Sequence, residues 1–307
     1  MDISVFSGEI LSYQGDLLVL GRFQGEEASQ AEVTVDQALG GALSKRIERH
    51  LFKGKSGQST ALDTAGRISA DRVILVGLGQ RSDFKGRSIR DRAAEVAREA
   101  LSSRCQSVAI LMADALDTEA ACELVLGFEL GLYRFDALQT PNADVPRHEV
   151  NSLSIAAPLG DEERHRALTL SSAVNLARTL VNEPPNICTP ARLADVAMDL
   201  ASDQIEVTIL DKDEIYARGM GGVIAVSQGA TIEPKFIHVH YRPQGESRGS
   251  VALIGKGLTF DSGGLSLKPP KSQEFMHIDM GGAAAVLGAM TAISELKPDM
   301  EVHGIVG

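Results

Sequence analysis

No stretch of this chain approaches the roughly 18 consecutive apolar residues of a membrane-spanning helix. The opening residues, Met1 to Ser12, lack the basic segment and apolar core of a secretory signal. Cysteine is scarce: Cys105, Cys122 and Cys188 are odd in number, scattered, and without metal-ligand spacing. They read as buried or free thiols in a reducing cytoplasm rather than as a disulfide framework. Positive charge is also short, with 30 Lys and Arg against 41 Asp and Glu. A net charge of -11 argues against a general nucleic-acid-binding surface. Internal repeats and low-complexity tracts are absent. What remains is ordinary for a folded chain: 44% apolar and 23% charged residues, over a length of 307 that suits two domains.

The first half alternates strand and helix signals. Asp16 to Gly21, Arg72 to Gly77 and Ser107 to Met112 are apolar runs of strand length. Val35 to Leu51, Ser88 to Leu101 and Thr118 to Tyr133 read as amphipathic helices, the last with Ala121, Leu124, Phe128 and Leu132 on one face. This alternation predicts an α/β domain over residues 1–158 with a largely parallel sheet. Val76-Gly-Leu-Gly-Gln80 begins like a phosphate loop, but no Gly-Lys-Ser/Thr ending follows. A strand-ending turn is the better reading.

Residues 159–185 read as a linker helix, acidic at its start and stopped by Pro184 and Pro185. Thr189 and Pro190 mark a new helix start, with Leu193, Val196, Ala197 and Leu200 as its buried stripe. Ile205 to Leu210 and Lys235 to Tyr241 read as strands, and Val223 to Val226 as a buried segment. His238 and His240 share a strand face, and with no third ligand nearby in sequence they read as strand histidines.

The richest stretch runs from Val251 to Met290. The buried-strand signal Val251-Ala-Leu-Ile254 gives way to Gly255, Lys256, Gly257, Asp261, Gly263, Gly264 and Lys268. Asp279 then precedes Gly281-Gly282 and an Ala-rich helix. Ligands in open α/β sheets collect at strand ends, and aspartates offer hard oxygen donors to Mg, Mn or Zn. A neutral lysine amine can ligate a metal, while a charged one can stabilise an oxyanion. Spacing alone leaves two readings, a pair of surface salt bridges or a dinuclear hydrolase site.

Two longer motifs carry more information. Gly255 to Pro269 (GKGLTFDSGGLSLKP), followed by His277 to Val286 (HIDMGGAAAV), closely resembles the leucyl aminopeptidase (cytosol aminopeptidase) family. Val181 to Pro190 (VNEPPNICTP) is similar to that family's entry into its catalytic domain. The resemblance is strong over the back half and architectural over the front half. It implies a macro-domain-like α/β domain at 1–158, and at 186–307 the amino-terminal portion of an α/β/α sandwich with a mixed, mostly parallel sheet. It implies Lys256, Asp261 and Asp279 as metal ligands, with Asp261 bridging, and Lys268 as the catalytic lysine. Two divalent ions per subunit, Mn or Zn, follow from the same resemblance, as does a cytoplasmic homohexamer acting on peptides with a free amino terminus. The second half of the family pattern, an Asn-Thr-Asp-Ala-Glu-Gly-Arg motif with two more carboxylates and an arginine that holds bicarbonate, does not occur in these 307 residues.

The expectation is a leucyl aminopeptidase-type metalloexopeptidase of the EC 3.4.11 class, with this polypeptide part of a longer protein and inactive alone. The alternatives are a non-catalytic DNA-binding regulator and a dinuclear hydrolase of another substrate. The acidic balance weighs against the first, the Lys256/Lys268 pair against the second.

Overall fold

The computed structural model describes residues 1–112, 116–140 and 148–307, and these divide into two compact units, Met1–Leu168 and Thr169–Gly307. In the first unit six strands form one sheet: β1 (Asp2–Val5), β2 (Gly15–Phe23), β3 (Ser59–Asp63), β4 (Ala70–Gly79), β5 (Ser107–Leu111) and β6 (Ser152–Ile155). Their order is β1-β6-β5-β2-β4-β3, and every pairing is parallel except that of the edge strand β3 with β4. The centre of the sheet explains the continuous apolar runs. Leu17, Leu18, Val19 and Leu20 are all fully buried, as expected of a parallel strand covered on both faces.

The helices of this unit are α1 (Gln30–Ala38), α2 (Ala42–Arg49), α3 (Arg87–Ser102) and α4 (Thr118–Leu132). The single helix expected over Val35–Leu51 is therefore two. Gly40 and Gly41 adopt left-handed φ of 66° and 77°, which breaks the ladder. Asp36 then caps the second piece, its Oδ1 accepting from the amides of Leu43 (2.9 Å) and Ser44 (3.0 Å). Helices α3 and α4 approach closely because Gly127 and Gly131 leave room for the backbone of Arg90 and Ala94. Arg90 bonds both oxygens of Glu123 across that contact, at 2.7 and 3.0 Å. The Val76–Gln80 glycines end β4: a Cβ on Gly77 would strike the Lys55 carbonyl, and Gly79 has φ 77°. All three cysteines are buried free thiols, and burial pushes Cys105 and Cys188 up to about 11.

Helix α5 (Asp161–Asn182) crosses the division between the units. The second unit continues with α6 (Pro190–Met198), whose Thr189 cap accepts from the Arg192 amide. It adds β7 (Ile205–Leu210), α7 (Lys212–Ala217), α8 (Gly221–Ser227), β8 (Phe236–Tyr241) and β9 (Ser250–Gly255). A short α9 (Pro270–Gln273), a 3-10 turn at Met276–Met280, α10 (Gly281–Leu296) and β10 (Glu301–Val306) complete it. The sheet order is β7-β8-β10-β9. It is mixed, as expected, but only β9 and β10 run parallel, and the other two pairings are antiparallel. Parallel pairing therefore does not predominate among these four strands, because β7 and β8 follow one another without a crossover that returns the chain to the same end of the sheet.

One local expectation is corrected. Val223–Val226 is not buried; it lies in α8, which buries no residue, and Val226 is 63% exposed. Residues 270–296 do have the length and apolar composition of a membrane span. Within the fold, however, α10 is a core helix that buries Ala283, Ala284, Val286, Leu287 and Met290 with Ile237, Val239, Tyr241, Val302 and Val306 of the sheet.

Candidate metal centre

The carboxyl end of β9 and the amino end of α10 meet through glycines. A Cβ on Gly255 would overlap the Gly282 carbonyl, and one on Gly282 would lie 2.7 Å from the Lys256 amide nitrogen. The Ala283 amide donates to the Lys256 carbonyl at 2.9 Å, closing the junction. Lys256, one residue past β9, is thereby held against the 3-10 turn that carries Asp279. Its Nζ lies 3.1 Å from Asp279 Oδ2.

The loop after Lys256 builds the second pair. Gly263 (φ 92°) and Gly264 (φ 67°) turn the chain back, and the Lys268 amide donates to the Ser262 carbonyl at 2.9 Å. Both residues occupy the left-handed region that glycine tolerates best. The turn returns Lys268 to Asp261, with Nζ donating to Oδ2 at 2.6 Å, while the Gly263 amide donates to Asp261 Oδ1 at 2.8 Å. Lys268 Nζ also lies 2.9 Å from Met276 Sδ, which places it over the turn that leads to Asp279. Hydrogen bonding by Lys268, then by the Gly263 amide, holds the Asp261 carboxyl below its ordinary range, and the charge of Lys256 acts on it in the same direction. Lys256, Asp261, Lys268 and Asp279 thus form one electrostatic group, not two remote salt bridges.

The donor set fits a divalent cation on one observation in particular. Asp279 Oδ2 is buried and makes no hydrogen bond, although Lys256 Nζ is within ion-pair distance of it. The separation suits attraction, but the direction does not suit a hydrogen bond. A buried carboxylate oxygen without one is costly unless something else meets its lone pairs. Asp261 Oδ2 and Asp279 Oδ2 supply hard oxygens, and a neutral Lys256 amine would supply nitrogen. Phe260, Leu265, Leu267, Phe275 and Ile278, all exposed, give the neighbouring segments an apolar rim. Of the two methionines near the motif, Met280 is buried in the core and Met276 contacts Lys268.

A second cluster was not legible in the linear sequence. His240, Glu301 and His303 gather on the sheet, with donor atoms all within 4.8 Å of one another. Its sequence signal was half visible in the period-two histidines of β8, while the partner residues emerge only from the β8–β10 register.

An α/β chain in two units, the second carrying a Lys/Asp group at the end of a mixed sheet, is the class that fold and site define. The chain belongs to the cytosol aminopeptidase family. The model of that family's catalytic domain matches residues 175–307, and that of its N-terminal domain matches 19–142. It is 36% identical over 323 residues to a probable cytosol aminopeptidase of Alkaliphilus oremlandii, covering 100% of this chain and 64% of the relative. It is 39% identical over 318 residues to one of a Cyanothece species, with the same coverages. A tomato leucine aminopeptidase mutant superposes with a TM-score of 0.87 at 34% identity, over 100% of this chain and 62% of the other. The bottromycin maturation enzyme BotP in complex with Mn superposes at 0.77 and 29% identity, covering 95% and 58%. The chain therefore spans under two thirds of the length of these relatives.

Proposed function

We propose that this site serves a metal-dependent aminopeptidase that releases amino-terminal residues, leucine and similar ones, from peptides. The observation that carries the reading is the buried Asp279 oxygen without a hydrogen bond, set beside Lys256 and the Lys268–Asp261 pair. Family membership and the relatives' names support it. Residues 1–158 would form the macro-like domain, 159–185 the linker helix, and 186–307 part of the catalytic domain.

Lys256, Asp261 and Asp279 would hold the cation, with Asp261 the bridge where two are bound. Bound divalent ions lower the pKa of water and polarise a carbonyl. Lys268 would bring a positive charge to the oxygen of the carbonyl under attack, where such charge is worth most. Its contacts with Asp261 and Met276 fix the direction from which that charge is offered. Manganese is supported by the Mn complex of a structural neighbour; zinc, a bicarbonate proton carrier, a homohexamer and a cytoplasmic location are carried by the family resemblance.

The test is Mn2+ titration of the 307-residue chain by calorimetry. Binding that falls at least tenfold in Asp279→Ala is expected, and undiminished binding would remove the assignment. Turnover is assayed with leucine-p-nitroanilide on the gene product purified from its own locus; no release of p-nitroaniline with Mn2+ or Zn2+ present would reject the peptidase reading.

A further inference from the structure

Strand β10 lies antiparallel to β8 with His303 directly across from His240. Glu301, two residues before His303, projects to the same side, as does His238, two before His240. The alternate residues Val239, Tyr241, Val302 and Val306 belong to the core shared with α10. The imidazoles therefore occupy the sheet face turned away from α10.

We propose that His240, Glu301 and His303 form a second metal site, suited to a borderline ion such as Zn2+, Co2+ or Ni2+. It stands apart from the peptidase reading, since none of Lys256, Asp261, Lys268 or Asp279 takes part. His240 Nε2 lies 2.6 Å and His303 Nε2 3.8 Å from Glu301 Oε1. Ligands about 2.0–2.1 Å from a tetrahedral zinc are separated by roughly 3.4 Å, a value these two distances bracket. Modest side-chain rotation would bring all three donors onto one ion without moving the strands.

The surroundings of His303 match those of a ligating histidine. Its Nε2 faces Glu301, while its Nδ1 lies 2.9 Å from His238 Nε2. A ligating imidazole characteristically engages its other ring nitrogen in a hydrogen bond that fixes tautomer and orientation. His238 supplies that bond and acts as a positioning residue. The rings are stacked, His240 on His303 with centroids 4.0 Å apart and His238 on His303 at 5.2 Å.

Charges facing the cluster come from β7, the end of β8, and β10. Glu206 lies across from His240 and pairs with Arg242 at 2.9 Å, and Glu301 is the remaining anion. The side chains of Glu301 and His303 are 32% and 26% exposed, against 11% for His240, so the cluster is open on one side to an entering ion and a water ligand. Imidazole ligation separates this site from the oxygen-rich Lys/Asp group, which suits Mn2+ or Mg2+.

The experiment is Zn2+ titration of the 307-residue chain, read by the imidazole nitrogens in long-range proton–nitrogen NMR. Shifts of the His240 and His303 rings are expected, and in an Asp261→Ala, Asp279→Ala background, which removes the other proposed ligands, they saturate at one equivalent. His240→Gln with His303→Gln preserves amide donors toward Glu301 and abolishes that equivalent. His238→Ala weakens Zn2+ binding about 10–100-fold, the usual range for such supporting residues. No ring shift in the parent chain, or an unchanged Zn2+ stoichiometry in the double Gln variant, would overturn the proposal.

Discussion

Asp261 and Lys268 show how two residues can matter differently at one site. Asp261 is the proposed oxygen donor to the metal, and Lys268 pairs with it at 2.6 Å. If Lys268 acts on the substrate oxygen, Lys268→Ala in the gene product purified from its own locus lowers kcat by about 10²–10³-fold, the usual range for losing one such donor. Metal content measured by atomic absorption stays unchanged in that variant, whereas Asp261→Ala loses metal. Equal loss of metal in both would contradict the division of roles. The pH dependence follows from the lowered Asp261 pKa. A carboxyl whose pKa is depressed by folding contributes stability above its ordinary value of 3.8 and loses it as pH falls through the folded value. The melting temperature of Asp261→Asn therefore lies below that of the parent at neutral pH. The gap closes only below about pH 3.8; a gap that closed between pH 7 and 5 would mean the pair is not what stabilises the loop.

At the scale of elements, the placement of the site depends on how closely the end of β9 approaches the start of α10. Two adjacent glycines make opposite predictions there. At Gly282 an added methyl meets the Lys256 backbone nitrogen at 2.7 Å, so Gly282→Ala pushes the strand end from the helix and costs about 1–3 kcal/mol. At Gly281, where φ is helical, only the Val181 side chain lies within reach, at 3.9 Å. Gly281→Ala is therefore neutral or stabilising by about 0.5–1 kcal/mol. Denaturant unfolding of the two variants checks the contrast, and equal costs would refute it. Most of these elements were legible in the sequence, because the signals were local. β2 and β5 read as strands from continuous apolar runs, and α6 as a helix from Thr189-Pro190. Likewise the loop carrying Lys256, Asp261 and Lys268 was marked by its glycines. Illegible features were those set by partners distant in sequence. Nothing local in Glu301-Val-His303 announces that β10 will seat it beside His240, 61 residues away from Glu301. Nor does Val223–Val226 reveal that its apolar residues will lie in a short exposed helix, since an apolar run of four fits a buried strand equally well.

At the scale of the whole molecule, each unit has a buried apolar cluster of its own among the described residues. One gathers Leu18, Leu20, Val35, Leu39, Leu43 and Leu75, and the other Ile237, Val239, Tyr241, Leu287, Met290 and Val302. All proposed metal ligands, at both sites, belong to the second unit, so a cation stabilises that unit directly. A ligand at 100 times its Kd adds about 2.7 kcal/mol to the state that binds it. Differential scanning calorimetry of the 307-residue chain is expected to show two transitions. Mn2+ should raise one and leave the other in place, and Leu287→Ala, which removes a fully buried side chain of the second core, should lower the same one by about 2–5 kcal/mol. Each change acts through a different physical term, ligand linkage in one case and an apolar cavity in the other. Their convergence on one transition would therefore assign it to Thr169–Gly307. If Mn2+ raised only the transition that Leu287→Ala leaves in place, the cation would lie outside the second unit and the assignment of Lys256, Asp261 and Asp279 would fail.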